Sequence, residues 1–256
     1  MLKRVQAVAI NTFRETVRDR IFYLVAVFGF VLVSSSVILS PLTIGAQDKI
    51  VSDVGLSSMT LFGLLVSVFV GSNMVRKEME KRTITTILAK PVSRRQYLIG
   101  KFCGLNLTLL CMLATMGTLF LAVLLFSPAD LSARYLAAVY LIFLELMVIT
   151  AAVLLFSTCV SPVLAAVFSL GTFVIGHLSE SIRSFGKVMG SDLQAKVADV
   201  IYYLVPNLEI FNVRGAVVHG ETVSMQHVML GTLYAVCYSG LLVLLACAVF
   251  VRKELR

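Results

Sequence analysis

Charge is scarce in this chain: Asp, Glu, Lys and Arg make up 14% of its 256 residues, whereas apolar residues make up 59%. Soluble domains carry about 25% charged and about 45–50% apolar residues, so the composition excludes an ordinary water-soluble fold. Cysteine is sparse and poorly placed for cross-linking. Cys103, Cys111, Cys159, Cys237 and Cys247 stand in or beside apolar runs, with no C-x-x-C spacing, which argues against structural disulfides and zinc sites. No internal repeat or low-complexity stretch is evident, and the duplicated, interrupted helices of many secondary transporters are missing. Catalytic signatures are missing too. There is no H-E-x-x-H, no nucleophile elbow and no aspartate in any long apolar run, which argues against intramembrane protease chemistry. A nucleotide-binding P-loop is also lacking, since Gly100-Lys101 is followed by Phe102 and Arg95 stands where the leading glycine is required.

What the chain does have is length of apolar run. Runs of roughly 18–25 residues without charge predict helices near 21–40, 56–75, 102–126, 135–157, 160–178 and 228–251. The expected fold class is therefore an all-α polytopic membrane protein with six transmembrane helices. The first run follows a charged lead, is too long for a signal-peptide core and has no small-x-small cleavage site before Pro41, so it reads as a retained helix. Sixteen of the 22 Lys and Arg residues fall before Ile21, in 76–101 or after Val251. By the positive-inside rule this asymmetry predicts that both termini are cytoplasmic.

Two further segments are expected to be helical outside the spans. In residues 1–20, Leu2, Val5, Ala9, Phe13 and Val17 recur at three- and four-residue steps while Lys3, Arg4, Arg14, Arg18 and Arg20 take other faces. That pattern predicts an amphipathic helix lying in the cytoplasmic interface. In the outer loop 179–227, Leu193, Val197, Ile201 and Leu204 repeat at helical spacing until Pro206, which predicts a helical, partly embedded cap. The whole of 1–256 thus reads as one membrane domain.

The stretch Arg76 to Lys101, RKEMEKRTITTILAKPVSRRQYLIGK, is rich in charge for a link between two spans. Positive-inside charge explains Arg94 and Arg95 but not Glu78 and Glu80. Ile84, Ile87 and Leu88 form an apolar stripe that Lys90-Pro91 must end, because a residue before proline is pushed out of the helical region. Ser93 is then placed to cap a second helix leading into the third span.

The order Glu78-x-Glu80, Thr83, Leu88, Pro91-x-Ser93-Arg94 and Gly100-Lys101 resembles the signature of the ABC-2 type permeases. NTFRETVRDRIFY at 11–23, LFGLLVSVFVGSNMV at 61–75, Ser161-Pro162 and VPNLEIFNVRGAVVHGE at 205–221 look like the permeases grouped with multicopper-enzyme maturation systems. Arg82 departs from the glycine that many of them carry before the threonine. The resemblance implies a membrane-spanning permease subunit in the cell (inner) membrane, an exporter working with a second permease copy; the alternative reading of the same cytoplasmic loop is a membrane anchor that recruits a soluble partner without transport. ATP and Mg would be bound by a separate ABC ATPase subunit, leaving no cofactor and no enzyme activity in this chain. It further implies that Glu78, Glu80, Arg82, Thr83, Ile87, Leu88, Pro91, Ser93 and Arg94 form the coupling helix region that meets the ATPase. The corner at Ser157, Ser161 and Pro162 would be a second, smaller contact.

Inside the spans, Glu145 stands near the centre of the fourth, where an acidic side chain costs on the order of 3 kcal/mol to insert. It must face protein or water, in a translocation path, a proton relay, a dimer seam or an interhelical hydrogen bond. Asn106 and Thr150 are the further polar candidates for such a path or seam, and they and Thr108 are candidate partners of Glu145. Gly100-x-x-x-Gly104 and Gly171 permit close helix approach. His219, Met225 and His227 match no compact ligand spacing, so no metal is expected, and His177 reads as an interfacial hydrogen-bonding residue.

Overall fold

The computed structural model describes residues 2–17, 47–80, 93–125, 132–188 and 192–252, with eight further positions between 23 and 34. Its regular elements are α1 (Leu2–Thr16), α2 (Gln47–Glu80), α3 (Arg94–Leu125), α4 (Ala133–Cys159), α5 (Pro162–Val188), α6 (Asp192–Leu204), a 3-10 turn (Glu209–Phe211), α7 (Arg214–Val218) and α8 (Met225–Arg252). No strand occurs among the described residues. Among the described residues five helices are long and apolar enough to cross a membrane, the shortest stretch being the 24 residues Pro162–Phe185. At 1.5 Å per residue that stretch rises about 36 Å, more than the roughly 30 Å hydrocarbon core.

Five of the six expected spans fall on these helices. The first, 21–40, lies largely outside the described residues, although the described positions within it are helical and bury Phe28 and Leu32 in the core. The helices run past the apolar runs that announced them. α2 begins at Gln47 rather than near 56, because exposed Lys49 and Asp53 interrupt the apolar run without interrupting the helix. α5 corrects its expected end at 178 and continues to Val188. Ser179 keeps its hydroxyl satisfied by donating to the Gly176 carbonyl, and Arg183 donates to Asp199 of α6 at 2.9 Å while stacking 4.4 Å from the Tyr202 ring. Polar residues there tie an α5–α6 hairpin instead of opening a loop.

The core forms around α4, which packs against α2, α3, α5 and α8. Its most apolar window is 67% buried, against 22% for α5, so α4 is the central helix and α5 a peripheral one. Small residues bring α2 against it. A Cβ at Gly63 would run into Leu146 Cδ1, one at Gly71 would lie 2.7 Å from Val153 Cγ1, and the Thr150 and Ser67 hydroxyls meet at 3.3 Å between them. Residues 63, 67 and 71 share one face at four-residue spacing, so the two backbones meet along two turns.

Candidate functional site

One end of the bundle gathers the segments around 76–101. Ser93 and Gln96 cap α3 reciprocally: the Ser93 N–H donates to Gln96 Oε1 at 3.1 Å and the Gln96 N–H to Ser93 Oγ at 3.3 Å. This satisfies N-terminal amides that the helix itself leaves unpaired. From the same turn Arg94 donates to the carbonyls of Phe250 and Val251, the unpaired end of α8. Tyr97 stacks on Phe250 with centroids 6.2 Å apart. Below them Met74, Leu98, Leu105, Leu154 and Cys247 close an apolar cluster that joins α2, α3, α4 and α8. The α4–α5 corner at Ser157 to Pro162 sits at this end as well, one turn beyond Leu154.

α1 docks on the outer side of this assembly. Gly100 and Gly104 of α3 leave a groove so tight that a Cβ would meet Val8 Cβ at 2.6 Å or the Ala9 carbonyl oxygen at 2.7 Å. Thr12 and Thr16 are buried on the α1 face turned to it. Lys101 is 1% exposed. Its ammonium lies 3.7 Å from a Glu15 carboxylate oxygen and 5.6 Å from the Tyr97 ring, so a charge inside the bundle end is compensated.

The other end is closed by residues 205–214, which dip into the bundle with only the 3-10 turn and the start of α7 as regular structure. Leu208 and Phe211 are buried. Backbone at that depth must find partners inside the protein. The Leu208 N–H donates to Gly176 O, the Asn207 N–H to Tyr234 Oη, and Tyr238 donates to Leu204 O. Arg214 at the segment's end donates to Ser57 of α2 at 2.9 Å. Beneath lies Glu145, whose Oε1 is 3.4 Å from His177 Nε2 of α5.

The family model for ABC-2 family transporter proteins matches residues 6–255. The chain belongs to the ABC-2 transporter family. A search of curated proteins returns no match. Membership makes the chain a multi-pass membrane component of an ABC transporter.

On this ABC-2 protein the sequence-predicted residues separate into three groups. Ser93 and Arg94 begin α3, and Ser157, Ser161 and Pro162 form the α4–α5 corner at the same end. Glu78 and Glu80 belong to the last turn of α2, with their side chains outside the described residues, as are Arg82, Thr83, Ile87, Leu88 and Pro91 altogether. The buried polar residues do not converge on Glu145. Asn106 donates to Phe102 O, Thr108 to Gly104 O, and Thr150 to Leu146 O with Ser67 Oγ at 3.3 Å. The partner of Glu145 is His177, whose position near the end of an apolar run suggested an interface but whose helix continues past it. His219 donates to Gly215 O and His227 to Ile210 O, while Met225 is exposed, and among the described residues no three metal-ligating side chains cluster.

Proposed function

We propose that the chain is the permease subunit of an ATP-driven exporter, paired with a second permease copy and driven by a separate ABC ATPase subunit. The family match over 6–255 carries the reading. The geometry supports it by bringing to one end the start of α3, the end of α2 and the α4–α5 corner, the three places a soluble partner would have to grip. With sixteen of 22 basic residues assigned to that side, it faces the cytoplasm, and a span over 21–40 completes six crossings with both termini inside. α1, with Lys3, Arg4 and Arg14 exposed, lies at the same cytoplasmic surface.

In this reading ATP closes two nucleotide-binding subunits, and the segment Glu78 to Arg94 carries their movement into α2 and α3. Arg94 and Tyr97 pass it to α8, and α2 passes it to α4 through the Gly63–Ser67–Gly71 face. Moving a two-state protein from 1:99 to 99:1 takes about 5.5 kcal/mol of differential affinity. A soft, poorly packed bundle would dissipate such a bias; close backbone contact transmits it. Purifying the chain with its native partners tests the proposal. An ABC ATPase should co-purify, and Glu78→Ala or Pro91→Ala should insert normally yet lose substrate-stimulated ATP hydrolysis. Unaltered stimulation in both variants would remove the coupling role.

A further inference from the structure

We infer that Glu145 and His177 form a proton-binding site between α4 and α5, holding one proton while the two helices are in contact. The ring's other nitrogen fixes the tautomer. His177 Nδ1 lies 3.1 Å from the Phe173 carbonyl oxygen. A carbonyl only accepts, so Nδ1 carries the hydrogen. In a neutral ring Nε2 is then left with a lone pair, and that lone pair faces Glu145 Oε1 at 3.4 Å. The His177 side chain is 17% exposed and that of Glu145 3%, and among the described residues neither atom has another hydrogen-bond partner. An ionised carboxylate opposite a neutral imidazole would leave two buried acceptors facing each other, which low-dielectric surroundings penalise. One proton resolves the conflict. It comes from water and forms either a carboxyl O–H directed at Nε2 or an Nε2–H directed at the carboxylate, and it returns to water when the bond breaks.

The surroundings leave this proton to set the charge of the pair. Glu145 is the only acidic residue of α4. The other charges that act on it have opposite signs: Arg214 at the start of α7 and Glu209 in the 3-10 turn. α2 contributes Ser57, which holds Arg214, and α8 contributes the Tyr234 phenol, which accepts from Asn207 and packs 6.1 Å from the Phe211 ring.

The pair also sits where the bundle is fastened. Gly176, next to His177, accepts from Leu208, and a Cβ on it would lie 2.7 Å from Pro206 O. Withdrawal of residues 205–214, or parting of α5 from α4, hydrates both groups and lets the proton leave. The proton is therefore linked to the conformation of this end of the bundle.

The test uses the full chain in lipid bilayers, and its spectroscopic part needs neither the ATPase nor the cargo, so it stands or falls apart from the proposed function. At neutral pH the infrared spectrum should show a protonated-carboxyl C=O band that disappears in Glu145→Gln, or 15N spectra should show an imidazolium that disappears in His177→Gln. An ionised Glu145 together with a neutral His177 overturns the proposal. So does a stoichiometric metal ion found in the wild-type chain and lost from both variants. Glu145→Gln keeps a donor directed at Nε2 and should fold. With the ATPase partner present, wild-type transport should change by up to about tenfold per pH unit across one protonation step. That step should vanish in Glu145→Gln; an unchanged profile also overturns the proposal.

Discussion

Replacing Gly104 by alanine should loosen α1 from the bundle, while the same change at Gly171 should not. A Cβ at position 104 would come within 2.6 Å of Thr12 Cβ and 2.7 Å of the Ala9 carbonyl oxygen, whereas nothing lies within 4 Å of one at Gly171. Backbone oxygen cannot rotate aside, so α1 must move as a body. Overpacking of this kind costs about 1–3 kcal/mol. Alanine also gains up to about 1 kcal/mol of helix propensity over glycine, but it does so at both positions, so the difference between the two variants isolates the clash. A shift of about 1–3 kcal/mol changes the detached fraction of α1 roughly 5- to 150-fold. Thr12 is fully buried against α3, so a Thr12→Cys reporter in a cysteine-free background reads that fraction through its labelling rate with a maleimide. Labelling should accelerate within that range in Gly104→Ala and stay at the parent rate in Gly171→Ala. Equal rates in the two variants would refute the packing argument.

Three other outcomes are expected. Arg94→Ala removes two charge-assisted donors from the Phe250 and Val251 carbonyls; hydrogen exchange in the last turn of α8 should speed up by an amount near 1 kcal/mol, with α4 unchanged. Tyr234→Phe removes the acceptor for the half-buried Asn207 N–H; leaving that group unpaired should cost about 1 kcal/mol and appear as faster exchange across 205–211. Gly117→Ala meets only Val139, at 3.7 Å, in ordinary contact; its thermal stability should match or exceed that of the parent.

The spans were legible because hydrocarbon imposes one rule on every residue in it: apolar runs on α2, α3, α4, α5 and α8 are long enough to be read without knowing their neighbours. Their ends were not, because Lys49, Asp53 and Arg183 break an apolar run while leaving a helix intact. Gly100-x-x-x-Gly104 could be read as a close-approach face, but its occupant, α1, could not be named from spacing alone. The Gly63–Ser67–Gly71 face has the same spacing and was missed, since small residues are common in membrane helices and the pattern alone does not distinguish a contact. Glu145 was visible as an anomaly in an apolar run. Its partner was not, because His177 belongs to another helix at a depth set by where α5 really ends, and only packing brings the two together. The 205–214 segment was likewise unreadable: its buried form rests on hydroxyls of Tyr234 and Tyr238 contributed by α8.

In the proposed function this ABC-2 chain converts ATP hydrolysis in a separate subunit into movement of its own spans. The most direct measurement is ATP hydrolysis by the reconstituted permease–ATPase complex, compared between the parent chain and Pro91→Ala, with and without candidate cargo. The account predicts that cargo stimulates hydrolysis in the parent and not in the variant, with both complexes assembled and inserted to the same extent. Stimulation of equal size in both, or a permease that purifies from its native membrane with no ATPase bound, would contradict it.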